Sequence, residues 1–362
     1  MTIPIANPQV GDAEREYVEA VLDSGQLADG PEVRRFESEF AAYCDTDDAV
    51  ATSNGTTALH AALHALSIGE GDRVVTTPFT YIATANAVSF CDATVEFVDI
   101  DPETYNIDPA ALERRLREGP PVDAVVAVHL YGLPADMERL TELADAYDFA
   151  LVEDAAQAHG ATVDGDRVGS LADAGCFSFY PTKNMTTGEG GMITTDRSDV
   201  ADRAARFVDH GRSEGYEHAE IGHNFRMTSV AAALGRAQLQ RLPRFTSARQ
   251  LNASRLSNAL ERTAVRTPSV PDDRTHVYHQ YTIRTTDREA LCSRLDEQDV
   301  GYGVYYPVPV HEQAAYDHVD AVAPNAERAA EEVLSLPVHP ALTRADVEQV
   351  ATAVRESMEV IA

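Results

Sequence analysis

Lys183 is the only lysine in this chain of 362 residues, so that 28 of its 29 basic side chains are arginines. An arginine can replace a lysine as a surface charge, but its guanidinium group stays protonated and cannot act as an amine nucleophile. Retention of one lysine, in the segment FSFYPTKNMTTGEGG, therefore indicates that its amine does chemistry. The alternative is that a lysine-poor composition left one lysine by chance.

A carboxylate ends an apolar run that precedes this lysine. Asp154 follows the stretch 150–153 and lies 183 − 154 = 29 residues before Lys183. Burying a carboxylate there is costly unless it has a partner, and a protonated ring nitrogen would be one. The alternative is an aspartate that caps the next helix. The separation leaves room for one crossover connection, so both residues can reach the same edge of a sheet.

The sequence SNGTTAL, residues 53–59, predicts a turn that opens a helix. Gly55 permits a tight turn, the first helical amides favour an anion, and Thr56 and Thr57 add hydroxyl donors. A phosphate would fit there, although a simple capped helix start has the same pattern. Neither a P-loop nor a GxGxxG dinucleotide pattern is present, which disfavours nucleoside triphosphates and NAD.

An amine, a buried carboxylate and a phosphate cradle together indicate pyridoxal 5'-phosphate. Lys183 would bond covalently to the cofactor aldehyde. Asp154 would keep the pyridine nitrogen protonated, so that the ring can accept electrons from a substrate carbon. Tyr81, in the segment PFTY, is the aromatic side chain that we expect to stack on the ring.

Short β-branched runs alternate with helical patterns between residues 48 and 195. This alternation predicts an α/β fold with a mostly parallel sheet, which places ligands beyond the carboxyl ends of its strands. The predicted strands are Ala49–Thr52, Arg73–Thr77, Val95–Asp99, Ala124–His129, Ala150–Asp154, Cys176–Phe179 and Met192–Thr195. The predicted helices are Thr56–Leu66, Thr80–Phe90, Pro109–Arg117 and Met137–Tyr147.

A second zone with its own strand signals follows an arginine-rich helical stretch. We expect strands over His279–Arg284 and Gly303–Tyr306, a helix over Asp287–Gln298 and a closing helix from Arg344. The predicted boundary lies near Leu242–Pro243. The sequence thus predicts a large cofactor-binding domain, residues 1–242, and a smaller α+β domain, residues 243–362.

The motifs resemble those of the DegT/DnrJ/EryC1/StrS family of sugar aminotransferases, which are pyridoxal phosphate enzymes of fold type I. The resemblance runs from Gly30-Pro31 to Pro340, nearly the whole chain. It rests on SNGTTALH, PFTYIATANA, EDAAQAHGA, FSFYPTKNMTTGEGG, HNFRMT and YYPVPVHEQ. It implies a large domain with a seven-stranded sheet between helices.

The resemblance also implies a role for each matching position. Lys183 is similar to the lysine that holds the cofactor and moves the proton, and Asp154 to the partner of the pyridinium nitrogen. The cofactor contacts that it implies are Gly55, Thr56, Thr57, Tyr81, Asp154, Gln157, Ser178, Lys183 and Asn224. Asn224 would reach the phosphate of the neighbouring subunit, which implies a homodimer with shared active sites. Tyr306 and His311 are candidate substrate contacts, with packing between the domains as the alternative.

The implied reaction moves an amino group from L-glutamate, or glutamine, to a keto group of a nucleotide-linked sugar. The motifs around Asp154 and Lys183 favour C3 of the sugar, in the synthesis of precursors of cell-surface polysaccharide or other glycans. The alternatives are amination at C4, amination of a cyclitol, and a non-catalytic regulator with the same fold. Lys183 disfavours the family's dehydratases, which have a histidine at that position.

The composition excludes several classes of partner. With 59 acidic against 29 basic side chains the net charge is −30, which disfavours nucleic acid and anionic membranes as partners. Acidic residues are spread along the whole chain, which suits a protein from a halophilic organism, because salt screens the repulsion between their charges.

Neither an 18-residue apolar run nor a signal peptide is present, so we expect a cytoplasmic protein. The scattered cysteines match no metal-site spacing. His60 and His64, four residues apart on one helix, could be a metal pair, but they lack the HExxH glutamate and a third ligand, so we expect a helix surface or interface there and no metal.

Overall fold

The computed structural model describes residues 2–361, and the side chains of residues 2–357. The helices are α1 (Asp12–Ser24), α2 (Pro31–Cys44), α3 (Gly55–Ala65), α4 (Ala83–Phe90), α5 (Pro109–Glu118), α6 (Met137–Tyr147), α7 (Ser198–Val208), α8 (Ser229–Leu260), α9 (Arg288–Glu297), α10 (Pro324–Glu332) and α11 (Arg344–Ile361). The strands are β1 (Asp48–Thr52), β2 (Arg73–Thr76), β3 (Thr94–Phe97), β4 (Ala124–Val128), β5 (Ala150–Asp154), β6 (Thr162–Val163), β7 (Asp166–Arg167), β8 (Ala174–Ser178), β9 (Gly191–Thr195), β10 (Arg212–Glu214), β11 (Glu217–His218), β12 (Arg274–Thr275), β13 (Tyr281–Arg284) and β14 (Val333–Leu336).

Within residues 2–361, seven strands form one sheet in the order β1-β9-β8-β5-β4-β2-β3. Only β9 runs against its neighbours in this sheet, because it pairs antiparallel with both β1 and β8 while the other pairings are parallel. The prediction of an α/β fold with a mostly parallel sheet is therefore confirmed. Every residue of the central strand β4, AVVAV, is buried, as expected for a parallel strand with helices on both faces.

A second hydrophobic core lies among β13, β14, α9, α11 and the end of α8. It includes Leu256, Tyr281, Leu334 and Val350, and it also includes Ile3 from the other end of the chain. The backbone N–H of Ile3 donates to the carbonyl of Asp299 at 2.8 Å. The first residues of the chain therefore pack with the second core. Among the residues described, no helix is both long enough and apolar enough to cross a membrane.

The predicted domain boundary falls inside α8, which continues past Pro243 to Leu260. The N-terminal half of α8 packs on α1 and α2, and its C-terminal half enters the second core. One continuous helix thus joins the two cores, and the division at residue 242 stays a prediction.

One predicted strand is wrong, and one predicted helix begins three residues later than expected. The strand expected over Gly303–Tyr306 is not formed, because only Gly303 pairs, in an isolated bridge with Ser335. The strand that pairs with β14, which contains Ser335, is β13.

The helix expected from Thr80 begins at Ala83. The hydroxyl of Thr77 accepts the N–H of Phe79 at 3.1 Å, and such a local bond competes with helix formation.

Candidate active site

A cavity of about 860 Å³ lies where β1, β2, β5 and β8 end. Its lining includes Asn54 after β1, Tyr81 after β2, and Asp154 and Ser178, the last residues of β5 and β8. This is the edge at which parallel sheets place ligands, and the volume is in the range of small-molecule sites.

Lys183 lies in the loop between β8 and β9 and lines this cavity. The loop is fixed on both sides of the side chain. The N–H of Lys183 donates to the carbonyl of Tyr180 at 2.9 Å, and the amide of Asn184 donates to the carbonyl of Val277 at 3.1 Å. Burial lowers the pKa of Lys183 to about 8, although the charge of Asp154 opposes the shift. At pH 7 about one amine in ten is then neutral, against roughly one in 3,000 for an ordinary lysine.

Asp154 ends β5 and is only 6% exposed. Its Oδ2 accepts a hydrogen bond from the hydroxyl of Thr84 at 2.8 Å, and its Oδ1 accepts one from the N–H of Ala156 at 3.2 Å. Burial raises the pKa of Asp154, while these two hydrogen bonds and the charge of Lys183 oppose the rise. A buried carboxylate held in this way can accept a further hydrogen bond from a cationic ring nitrogen.

The start of α3 is a capped turn at the position predicted for an anion cradle. Asn54 caps the helix, since its Oδ1 accepts the N–H of Thr57 at 3.0 Å, and the hydroxyl of Thr57 donates back to the carbonyl of Asn54 at 2.8 Å. The Thr57 hydroxyl is thus engaged within the turn, and Thr56 lies beside it on the cavity lining. A Cβ at Gly55 would lie 2.7 Å from the Cβ of Ser178, so glycine lets the helix start approach Ser178 closely.

An amide and two aromatic side chains form another wall of the cavity. The Oε1 of Gln157 accepts the N–H of Tyr131 at 2.8 Å, and its Nε2 lies 3.3 Å from the hydroxyl of Tyr306. The amide of Gln157 is therefore oriented with its NH₂ group toward the cavity side. The rings of Tyr81 and Tyr306 lie 6.1 Å apart, and Tyr81 is 60% exposed.

The structure brings most of the predicted site residues together. Those that line the cavity are Gly55, Thr56, Thr57, Tyr81, Asp154, Gln157, Ser178, Lys183 and Tyr306. Asn224 and His311 are not part of this lining. Asn224 is exposed and forms an isolated bridge with Asp209. The candidate substrate contact His311 lies outside the cavity instead, with its Nε2 3.5 Å from an oxygen of Glu327.

Several lining residues were not identified from the sequence, among them Thr84 and His279. The sequence contained one indication of Thr84, because Thr80 precedes it by four residues, the spacing of neighbours on one helix face. In the structure the two hydroxyls lie 3.0 Å apart. His279 had no such indication, since nothing local distinguishes it from a core histidine. Its pKa is well below the ordinary value because it is buried, with Lys183 nearby as a lesser cause.

A buried network of hydrogen bonds supports the end of β5. The Nε2 of His129 lies 2.9 Å from Glu153, whose carboxylate also accepts the N–H groups of Gly169 and Leu171, each at 2.9 Å. The other ring nitrogen of His129 accepts the N–H of Ala135 at 3.0 Å. Because each hydrogen bond satisfies a buried polar group, this network fixes the strand that carries Asp154.

The residues present fit pyridoxal phosphate. The helix start, Thr56 and Ser178 offer donors to a phosphate, and Gly55 keeps that place free of a Cβ. Asp154 offers a carboxylate to the ring nitrogen, and Lys183 offers an amine with a lowered pKa. The arrangement can hold an anion, orient a flat aromatic ring and exchange a proton at one amine.

Comparison with known proteins agrees with this geometry. The sequence profile of the DegT/DnrJ/EryC1/StrS aminotransferase family matches residues 8–355. The chain is 41% identical over 344 residues to dTDP-3-amino-3,4,6-trideoxy-alpha-D-glucose transaminase of Streptomyces venezuelae, covering 94% of this chain and 90% of that protein. It is 36% identical over 340 residues to UDP-N-acetyl-3-dehydro-alpha-D-glucosamine 3-aminotransferase of Acidithiobacillus ferrooxidans, covering 93% and 92%.

The fold matches a solved structure equally well. A crystal structure of S. venezuelae DesV in complex with a ketimine intermediate superposes with a TM-score of 0.93 at 39% identity, covering 96% of this chain and 94% of that one. A match of this extent includes most of the chain.

Proposed function

Since the chain belongs to the DegT/DnrJ/EryC1/StrS aminotransferase family, we propose that it aminates C3 of a nucleotide-linked keto-sugar, with L-glutamate or glutamine as the amino donor. The chain is a pyridoxal phosphate-dependent aminotransferase. The names of two relatives, which specify an amino group at position 3 of the sugar, support C3. Amination at C4 or of a cyclitol is the alternative.

One observation carries the catalytic part of the proposal: the only lysine of the chain lines the same cavity as Asp154. Bound there, pyridoxal phosphate supplies an electron sink for a substrate carbon. Lys183 would hold the cofactor through its amine, and as a free amine it would carry a proton between the substrate carbon and carbon C4′ of the cofactor. Its lowered pKa supplies the neutral amine that a base requires.

The other lining residues bind and orient. Asp154 holds the positive charge of the ring nitrogen, and its bond from Thr84 fixes its direction. The cradle of Gly55, Thr56, Thr57 and Ser178 anchors the phosphate. Gln157 offers its amide to a ring substituent, and Tyr81 covers one face of the ring. Tyr306 borders the space that a sugar would occupy.

We also propose a homodimer in which Asn224 completes the site of the neighbouring subunit. Asn224 is exposed, and the adjacent hairpin leaves Tyr216 97% and Ile221 90% exposed. An apolar surface of this kind beside a polar group suits a subunit contact. Mixed dimers of Lys183→Ala and Asn224→Ala chains test the sharing, because one of their two sites carries neither substitution. Recovery of activity on mixing supports the proposal, and no recovery contradicts it.

The substrate is tested with purified holoenzyme and a panel of 3-keto and 4-keto nucleotide sugars, each with glutamate and with glutamine. Faster amination of the 3-keto sugars supports C3, and a preference for the 4-keto sugars contradicts it. The product would be an amino sugar that is still linked to its nucleotide. Such a product would serve in the cytoplasm as a precursor of cell-surface polysaccharide or other glycans.

A further inference from the structure

His311 lies in a short 3-10 helix, Val310–Glu312, that follows the segment carrying Tyr306. Its side chain is only 8% exposed, and its Nδ1 is buried without a hydrogen-bond partner among the described residues. Its Nε2 lies 3.5 Å from Oε1 of Glu327, in the first turn of α10. Nε2 is thus the ring nitrogen that faces the carboxylate, and it makes no hydrogen bond of normal length among the described residues, so it is available to a metal ion.

The distance between His311 and Glu327 is long for a hydrogen bond and suits two ligands of one metal ion. Charge-assisted hydrogen bonds from nitrogen to oxygen measure about 2.7–2.9 Å. Two ligands at about 2.0–2.1 Å from a tetrahedral metal lie about 3.3 Å apart. The observed 3.5 Å is closer to the second value.

Glu312 supplies a third ligand atom. The ligand atoms of His311, Glu312 and Glu327 all lie within 4.8 Å of one another. Two carboxylates at this separation repel each other unless a cation lies between them. The side chain of Glu327 is 46% exposed, so it can adjust its rotamer to complete the coordination.

We propose that His311, Glu312 and Glu327 form a binding site for a divalent first-row transition metal. One imidazole and two carboxylates match the nitrogen and oxygen ligands of zinc and similar ions, whereas calcium and magnesium prefer oxygen ligands alone. Water would fill the remaining positions, because both glutamates reach the surface.

The site would join two segments that are already anchored to the large sheet. The N–H of Val310 donates to the carbonyl of Pro78 at 2.8 Å, next to the loop that carries Tyr81. The carboxylate of Asp99 accepts the N–H groups of Asn325 and Ala326 at the start of α10, each at 3.0 Å. A metal would therefore tie the Tyr306 segment to α10, outside the cofactor cavity.

The test is calorimetric titration of zinc into metal-free holoenzyme. Wild-type protein should bind one zinc ion per chain at this site. Loss of a partner that only supports a ligand lowers metal affinity about 10–100-fold, so loss of a ligand in Glu312→Gln or Glu327→Gln should cost at least that factor. Glu331→Gln removes the same charge one turn further along α10, and it should bind zinc like wild type.

Wild-type protein that binds no zinc, or Gln variants that bind it as tightly as wild type, would overturn the proposal in favour of a simple ion pair between His311 and Glu327. Anomalous diffraction at the zinc edge gives a second readout. A peak beside the Nε2 of His311 supports the site, and a peak only at other histidines contradicts it.

Discussion

The hydroxyl of Thr84 donates a hydrogen bond of 2.8 Å to Oδ2 of Asp154, in the interior between α4 and the end of β5. The same hydroxyl lies 3.0 Å from that of Thr80. Burial raises the pKa of Asp154, and the bond from Thr84 is the first effect that opposes the rise. Thr84 therefore helps to keep Asp154 ionised and correctly oriented, without itself taking part in the chemistry.

Replacement of Thr84 by valine should weaken cofactor binding, because a buried carboxylate oxygen loses its donor. Such a loss costs about 1–3 kcal/mol, which corresponds to a dissociation constant for pyridoxal phosphate that is roughly 5 to 150 times larger. Spectroscopic titration of the apoenzyme measures the constant. Thr84→Ser keeps the hydroxyl and serves as the control. A valine variant that binds the cofactor like wild type would show that the bond is not needed.

Lys183 should be the only side chain that becomes covalently attached to the cofactor. Borohydride treatment of the holoenzyme should leave one cofactor bonded to the peptide that contains Lys183, since no other lysine is present. The mass gain should equal the cofactor mass minus one oxygen atom, because condensation releases water and reduction adds two hydrogen atoms. Lys183→Arg keeps the positive charge but has no amine nucleophile, so it should take up no covalent cofactor and lose turnover. The measurement is mass spectrometry of the digested protein. Covalent cofactor in the arginine variant would refute the assignment.

The rate at which the apoenzyme captures pyridoxal phosphate should follow the neutral fraction of Lys183. With a pKa of about 8, the rate should rise tenfold per pH unit below pH 8 and level off above it. Asp154 raises the pKa of Lys183, so Asp154→Asn should move the bend to lower pH. Stopped-flow absorbance measures the profile. A bend near pH 10.5, the ordinary lysine value, would contradict the lowered pKa.

The same shift affects stability. The folded state of the apoenzyme binds the Lys183 proton less tightly than the unfolded chain, whose lysine has a pKa near 10.5. The unfolded state therefore binds more protons between about pH 8 and pH 10.5. Lys183 should accordingly make the free energy of unfolding rise with pH in this window, relative to a Lys183→Met variant.

The features that the sequence predicted are those fixed by neighbouring residues. Gly55 and Thr56 follow a strand and open a helix, and Asp154 ends an apolar run, so each was placed by local pattern. The bond between Thr84 and Asp154 joins residues 70 positions apart, and no local pattern contains it. His311 was a candidate substrate contact as part of the segment YYPVPVH, which also contains Tyr306. Of the two, only Tyr306 lines the cavity, and the position of the segment around His311 depends on tertiary contacts such as that of Val310 with Pro78.

Gly55→Ala should disturb the phosphate cradle through a steric contact alone. The added Cβ would lie 2.7 Å from the Cβ of Ser178 and 3.3 Å from its Cα, so the helix start and the end of β8 must move apart. Overpacking of this kind costs about 1–3 kcal/mol of stability, and it would separate donors that bind the same anion. We therefore expect both a lower melting temperature and a weaker stabilisation of the apoenzyme by inorganic phosphate.

Gly69→Ala is the matched control for this prediction, since a Cβ there would meet nothing closer than a carbonyl oxygen at 3.9 Å. Thermal denaturation of both variants, with and without phosphate, separates the two effects. If Gly55→Ala lowers the melting temperature but keeps the full phosphate shift, the contact with Ser178 supports only the fold. If the phosphate shift is lost while Gly69→Ala retains it, the close approach of α3 to Ser178 is what builds the anion site.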